Sequence, residues 1–426
     1  MIPKFYHYVW LALFSVFWFV PAAWGGGVWL YEGGTPDLGT AGAGRAALAD
    51  DASTAGTNPA GMTRLDRSQM LSAVQGLYVN AKFDTQSSGF GGGDGGNAGG
   101  FVPSGGLHYV HRFTDDFRFG ISAGSYFGLG VDYGDDWAGR YYTTEAEMLI
   151  FGVNPGAGYR VNKWLSVGAG VSVLYATLDQ KAAVNNEVTD PGFGDGELKI
   201  ESDDVGYGFN LGLMLTPREG TRFGLTYRSE VDLEFKDAAS LKNIGPNLGN
   251  TLDASGITGS KVDIDMTLPQ ALMLSAYHRL NPRWAIMGNI GWQQWSEFGK
   301  QDLTLRSENA TTFTKDLDYD DTWHFALGVQ YRLADNWLWS VGAAYDTSPT
   351  DKDTRTPDLP LDRQIRVGTG IQYSWNEDIT LGAAYEYLDA GDAEIDQAGG
   401  NLQGPLKGDY DTNAIHFFAV NLIWKF

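Results

Sequence analysis

The feature that most constrains this chain is a two-residue period that returns along most of its length. In the stretch 337–345, Trp337, Trp339, Val341, Ala343 and Tyr345 are bulky or apolar, whereas the interleaved Leu338, Ser340, Gly342 and Ala344 are mostly small or polar. The same alternation recurs at 165–175, 364–373 and 379–387. A period of two belongs to strands with one apolar face. Soluble sandwiches alternate as well, but here Trp and Tyr stand near the ends of the apolar faces, as at Trp164 and Tyr175, Trp284 and Trp292, and Trp337 and Tyr345. Membrane barrels place their interfacial rings in that way. Beyond residue 25 there is no run of 18 or more uncharged apolar residues, so a membrane-resident chain of this composition crosses only as strands.

The connections give an independent sign. Tight turns read FTDDF (113–117), RVNKW (160–164), TPREG (216–220), LNPRW (280–284), LADNW (333–337) and SWNED (374–378). Each centres on Asn, Asp, Pro or Gly, which supply turn dihedrals or side-chain bonds to the turn backbone. Between them lie longer acidic or glycine-rich stretches near 84–103, 132–142, 182–197, 237–260, 298–318, 348–361 and 389–407. Six short and seven long connections join about fourteen strands, an even number that returns both barrel ends to the turn side. The strands are expected at 69–83, 104–113, 117–131, 144–160, 163–181, 197–216, 220–236, 261–280, 283–297, 319–333, 336–347, 362–374, 378–389 and 408–426. The last of these alternates Val420, Leu422, Trp424 and Phe426 with Asn421, Ile423 and Lys425.

The N-terminal part differs. Residues 1–25 carry Lys4, an uncharged run over 9–20 and then Pro21-Ala22-Ala23-Trp24-Gly25. That run is too short for a bilayer core, which needs about 20 residues, and reads as a secretory signal cut near Ala23 or Gly25. Residues 26–68 do not alternate. They are rich in Gly, Ala, Thr and Asp, too polar for lipid and too few to fold alone. The lumen of the barrel is their expected host, where the inward Gly342, Gly368, Gly370, Gly382 and Ala384 leave room. The organisation is therefore a signal over 1–25, a hatch or plug over 26–68 and a transmembrane antiparallel β-barrel over 69–426, an all-β fold.

Charge and composition exclude other classes. Thirty Lys and Arg against 52 Asp and Glu leave a formal charge of −22, which repels a phosphate backbone, so no nucleic acid partner is expected. With no cysteine, thiolate metal sites and cysteine nucleophiles are absent. None of the six histidines stands in a serine-hydrolase motif, and neither an enzyme, a cofactor nor a metal site is expected. The glycine run at 89–100 lacks the Lys-Ser/Thr ending of a phosphate loop and reads as an outer loop.

Motifs then point to a family. The segment GRAALADDASTAGTNPAGM (44–62) resembles the hatch of the long-chain fatty acid outer-membrane transporter (FadL) family. Its pattern falls here on Arg45, Asp50, Asp51, Asn58, Pro59 and Ala60. FGLG (127–130), GRY (139–141), NPGAGYR (154–160), TYRSEV (226–231), Leu268-Pro269, WQQWSEF (292–298) and 357–378 follow in the family's order. The resemblance implies a fourteen-stranded barrel, closed by an N-terminal hatch, that carries hydrophobic molecules across the bacterial outer membrane. It implies Val28, Trp29, Leu30 and Tyr31 in an inner pocket, and a lateral wall opening at a kinked third strand, matched by Gly124, Gly128 and Gly130. A position that is basic in fatty-acid carriers of this family aligns here with Thr177.

Candidate ligand contacts also follow from the residues themselves. Leu241, Ile244, Leu248 and Leu252 recur at spacings of three and four, an apolar stripe for landing ligand, interrupted by Gly245-Pro246 so that two short helical pieces are expected. Lys181, Arg228 and Arg366 are the candidate inward cations for a carboxylate. Long-chain fatty acids are the first expected cargo; neutral aromatic or alkane hydrocarbons, and a hydrophilic diffusion porin, are the alternatives. The expected partners are those hydrophobic small molecules together with outer-membrane lipid and lipopolysaccharide, and the barrel is expected to be a monomer.

Overall fold

A computed structural model describes residues 33–236, 238–254, 261–306 and 311–426. The expected signal and Val28 to Tyr31 lie outside the described residues. In chain order the strands are β1 (Gln69–Ser88), β2 (Phe101–Arg112), β3 (Phe117–Asp132), β4 (Glu145–Arg160), β5 (Leu165–Val184), β6 (Gly196–Arg218), β7 (Thr221–Arg228), β8 (Val231–Phe235), β9 (Ala239–Lys242), β10 (Lys261–Leu268), β11 (Ala271–Arg279), β12 (Trp284–Gln293), β13 (Lys300–Arg306), β14 (Thr311–Asp316), β15 (Thr322–Ala334), β16 (Trp337–Asp346), β17 (Gln364–Ser374), β18 (Ile379–Asp389), β19 (Ile395–Gln397) and β20 (Leu406–Lys425). Fourteen of them, β1 to β7, β11, β12, β15 to β18 and β20, pair antiparallel in sequence, and β20 returns to β1 from Gln69↔Lys425 to Ser88↔Leu406. Closure leaves the wall without an edge, which strands in lipid require.

The alternation read from the sequence sorts the side chains as expected. Leu327, Val420 and Tyr207 are 76%, 58% and 69% exposed on the outer face, and Ser340, Gly342 and Ala344 are buried on the inner one. A water-soluble protein does not leave such a continuous apolar surface uncovered. Exposed rings stand at the tight turns: Phe113 and Phe117, Trp164, Trp284, Trp337 and Trp375. The turns themselves share a device. Asn162 Oδ1 accepts the Trp164 and Leu165 amides, Asn281 Oδ1 those of Arg283 and Trp284, and Asn376 Oδ1 those of Asp378 and Ile379. A side chain that mimics the turn carbonyl fixes each reversal.

Two expected strands prove to be four. The stretch 220–236 breaks at Ser229-Glu230 into β7, which stays in the wall, and β8, which leaves it; 261–280 likewise breaks at Pro269 into β10 and β11. Pro269 has no amide to give a ladder, and Ser229 turns its hydroxyl to the Phe209 amide at 2.9 Å. The stretch 283–297 ends as β12 at Gln293, followed by a helical turn at Trp295–Phe298, and the expected loop 298–318 holds β13 and β14. The departing strands form a second sheet, β14-β13-β10-β8. It rests on the inner face of the wall, since a Cβ at Gly206 of β6 would lie 2.4 Å from Val231 Cγ1. Val231, Leu233, Phe235, Ile264, Met266, Trp295 and Phe298 form one buried apolar cluster with Met148, Ile150, Leu174 and Leu178 of β4 and β5.

The N-terminal segment occupies the turn-side part of the lumen. Short helical pieces at Pro36–Thr40, Arg45–Leu48, Thr54–Thr57 and Pro59–Arg64 bury a row of small residues, among them Ala46, Ala47, Ala55 and Ala60. Small residues on both sides allow backbone to approach wall closely. A Cβ at Gly224 would sit 1.9 Å from Ala46 O, at Gly342 2.1 Å from Thr40 O, and at Gly368 2.3 Å from Leu38 O. Of the glycines expected to leave room, Gly382 instead faces Asn421.

Candidate functional site

Among the described residues, an outer and an inner cavity lie along the lumen. The outer one, about 460 Å³, is lined by Tyr141, Tyr142, Lys181, Leu198, Ile200 and Leu317 together with Asp316, Asp318, Asp353 and Asp358. The inner one, about 60 Å³, lies between the N-terminal segment and β2, β3, β4 and β7. Its lining among the described residues includes Arg45, Gly106, His108, Ser122, Gly124, Ser125, Tyr126, Asn154 and Arg228. Ile200 and Leu317 line the outer cavity and also pack on the apolar cluster, and Tyr126 packs on the same cluster while lining the inner cavity. Apolar contact is therefore continuous from one cavity to the other.

Beside the inner cavity the wall ladder is interrupted. Backbone pairing of β2 with β3 runs from Arg112↔Arg118 to Gly106↔Gly124 and ends there. Beyond that point β2 follows β1 to Tyr78↔Phe101, and β3 follows β4 to Asp132↔Glu145. The β3–β4 register shifts between Ser125 and Phe127, so Tyr126 is an inserted residue that bends the strand. The next bond across the interval is Ser104 Oγ to Ser125 Oγ at 3.1 Å. Gly124 thus stands at the end of the ladder, whereas Gly128 and Gly130 keep their β4 partners Leu149 and Glu147.

The residues of the N-terminal motif hold the segment in place. Asn58 is fully buried; its Nδ2 donates to Ala46 O at 2.6 Å and Leu213 O at 3.2 Å, and its Oδ1 accepts the Ala60 amide. Pro59 carbonyl contacts explain the small wall opposite, where a Cβ at Gly158 would lie 2.4 Å from Pro59 O. Arg45 pairs with Asp37. Asp50 accepts Arg222 Nη1 at 2.7 Å. Asp51, buried, has its carboxyl pushed up to about 6 by removal from water. Inward arginines bind the segment's carbonyls: Arg118 to Leu65 O, Arg160 to Thr63 O, Arg222 to Leu48 O and Arg228 to Gly56 O. The sequence reading missed Arg118, Arg160 and Arg222. Their signal was available, because each occupies the small or polar phase of a strand next to a tight turn.

The three candidate cations are not brought together. Arg228 lines the inner cavity, its guanidinium 5.3 Å from the Tyr126 ring centroid. Lys181 lines the outer cavity and pairs with Glu145. Arg366 is buried in a wall network, donating to Gln364 Oε1 at 2.7 Å and pairing with Asp346 at 3.3 Å, and lines neither cavity. Thr177 shares the outward phase of Tyr175, between the buried Ala176 and Leu178.

The leucine stripe also differs from expectation. Leu241 belongs to the short strand β9, and a single helix, Pro246–Ala254, carries Leu248 and Leu252. Asp190 from the 185–195 loop accepts the amides of Asn247 and Leu248 at the helix start, and Asn186 Oδ1 accepts that of Gly245. Leu248 is buried, Leu241 is exposed and Ile244 is half-buried. Pro246 supplies no amide and presets the first helical turn, so the residues before it cannot continue the helix and the four side chains do not form one stripe.

The sequence matches the family model described as outer membrane protein transport protein (OMPP1/FadL/TodX) over residues 17–426. It is 30% identical over 396 residues to the long-chain fatty acid transport protein of Escherichia coli O6:H1 (strain CFT073), covering 85% of this chain and 87% of that protein. It is 28% identical over 404 residues to outer membrane protein P1 of Haemophilus influenzae, covering 84% and 85%. The crystal structure of a Pseudomonas aeruginosa FadL homologue superposes with a TM-score of 0.84 at 22% identity, over 95% of this chain and 100% of that one. The Pseudomonas putida toluene transporter TodX gives 0.65 at 19% identity, over 88% and 94%. At these identities the structural likenesses speak for the fold.

Proposed function

The chain belongs to the outer membrane protein transport protein family (OMPP1/FadL/TodX), and from that premise we propose that it carries long-chain fatty acids through the lumen and releases them sideways through the wall. As a member it is a bacterial outer-membrane β-barrel that transports hydrophobic molecules and is not an enzyme. The observation that carries the finer reading is the unbroken apolar contact from Ile200 and Leu317, through the Val231–Phe235 cluster, to Tyr126. An apolar solute exchanges one dry contact for the next along such a path without entering water. In this reading, residues 26–68 act as the hatch that denies hydrophilic solutes a wide pore, and the short ladder between β2 and β3 is the exit. The acid-lined outer cavity favours a second cargo, neutral hydrocarbons, which meet no charge repulsion there.

The route is tested with a staple. Ser104 and Ser125 already touch across the interval, and the chain has no cysteine of its own. Replacing both with cysteine and oxidising the pair should stop uptake of radiolabelled oleate by cells that lack their own carrier, and reduction should restore it. Full uptake by the oxidised pair would remove the lateral exit. Swelling of liposomes by sugars at porin rates would remove the hatch.

A further inference from the structure

Charge is distributed unevenly round the turn-side rim of the barrel. We propose that four consecutive tight turns, 160–164, 216–220, 280–284 and 333–337, form a cationic arc that binds anionic phospholipid headgroups of the inner leaflet, an attachment that depends on residence in the outer membrane and not on the cargo.

The chain as a whole holds 52 acids against 30 bases. In the arc that balance is reversed: Arg160, Lys163, Arg218 and Arg283 lie in the turns and Arg332 directly before the fourth, against Glu219 and Asp335. These turns join β4 to β5, β6 to β7, β11 to β12 and β15 to β16, which follow one another round the wall. The turns on either side have the opposite sign, with Asp115 and Asp116 in 113–117 and Glu377 and Asp378 in 374–378. Exposed arginines there are neutralised, Arg112 by Asp115 and Arg67 by Asp378. Within the arc Glu219 is taken by Arg279 at 2.7 Å, and Arg160 serves the N-terminal segment. Lys163, Arg218, Arg283 and Arg332 are exposed, and none of them forms an ion pair among the described residues. Arg332 reaches Asp335 through its backbone carbonyl, at 3.2 Å.

Arg283 and Arg332 are also held as a pair. Trp284 pairs with Tyr331 across β12 and β15, and the Arg332 amide donates to Arg283 O at 2.8 Å. Two residues of like charge therefore stand opposite each other, an arrangement that destabilises a sheet. An anion bound by both removes that cost, and the guanidinium fork matches phosphate oxygens.

The height of these charges identifies the source of the anion. Trp164, Trp284 and Trp337 are exposed, and rings of this kind lie at the membrane–water boundary. Lys163 and Arg283 come immediately before the first two, and the Trp284 ring lies 4.4 Å from that of Tyr331, the neighbour of Arg332. One residue of strand spans about 3.3 Å, which puts the cations at headgroup height. A single sheet separates either face of the rim from lipid, so charge on both faces acts over the Debye length of about 8 Å. Short turns lie on the periplasmic side, where the leaflet is phospholipid. Neither the outer nor the inner cavity is lined by these four residues, so the arc is an open rim along a lipid boundary and encloses no small soluble anion.

The experiment is native mass spectrometry of the full-length barrel, equilibrated in mixed micelles with equal amounts of phosphatidylglycerol and phosphatidylethanolamine that share their acyl chains. A basic side chain near an anionic surface corresponds to about a fivefold preference, and the wild type should retain phosphatidylglycerol by at least that factor. The triple variant Lys163→Gln, Arg283→Gln, Arg332→Gln should fall to near parity. Removing equal charge on the loop side, with Lys242→Gln, Lys300→Gln, Lys352→Gln, should leave the preference unchanged. Arg332→Gln alone should give part of the fall, which keeps the test standing if the triple variant does not assemble. Equal retention of the two lipids by the wild type would overturn the arc, as would a preference that survives in the triple variant or is lost equally in the loop-side set. So would displacement of phosphatidylglycerol by millimolar inorganic phosphate. None of these results touches the cargo route, which the Ser104–Ser125 staple tests separately.

Discussion

The turn-side half of the lumen and its loop-side half are filled in opposite ways. On the turn side a segment of Gly, Ala and Thr is held by directed bonds: its own Asn58 donates to Leu213 O of the wall and to Ala46 O within the segment, and wall arginines donate to Leu48, Gly56, Thr63 and Leu65 carbonyls. On the loop side, strands that leave the wall fold back and bury Val231, Leu233, Phe235, Ile264 and Met266 against β4 and β5. Directed bonds fix one geometry and can be exchanged for water a few at a time. Apolar packing excludes water but tolerates a solute of similar polarity. A gate belongs in the first kind of filling and a path for oily cargo in the second.

The contrast can be broken most severely at Gly224. Its Cβ position is occupied by the backbone of Ala46, which cannot rotate away as a side chain could, so Gly224→Val should unseat the segment and leave a barrel that conducts as an open pore in planar bilayers. Wild-type conductance would show that the seat yields more readily than its geometry implies. On the other side, Phe235→Ala removes a fully buried ring and should cost about 3–5 kcal/mol of local packing. Limited proteolysis should then cut the long loops faster while residues 33–65 remain protected.

A pH series separates the halves next. Burial holds Asp51 up at about 6 from an ordinary 3.8, so the seated segment prefers the protonated acid. Its contribution is whole below about pH 4 and is lost as pH rises through 6, a change of about 3 kcal/mol at 1.36 kcal/mol per unit. Hydrogen exchange of 48–57, corrected for its intrinsic pH dependence, should quicken across that window in the wild type and stay flat in Asp51→Asn, with no matching change in β8 or β10. The smallest effect is expected at the exposed pair Lys242–Glu197 on β9 and β6. Lys242→Ala should leave the thermal midpoint within error of the wild type, because solvent screens such pairs.

The sequence carried the wall well. The tight turns are where Asn162, Asn281 and Asn376 place them, because an Asx turn is a local bond between neighbours. The closing strand ends where Trp424 and Phe426 announce it. The inner cavity was not legible. Arg45, His108, Ser122, Tyr126 and Arg228 come from the segment and three wall strands, and of these only Arg45 and Arg228 had been singled out. Residues on a strand look alike until closure brings four of them round one space with Arg45.

The limit is sharpest at β7 and β8. Phe223, Leu225 and Tyr227 face outward, and Val231, Leu233 and Phe235 continue their phase without a break, yet the second trio is buried in the lumen. Period two reports that a side chain sits in an apolar medium and not which medium it is. The chain's own residues therefore decided that strands would alternate, turn and close. Only the closed wall, by creating an inside with a volume to fill, decided which oily faces meet lipid and which line the way through.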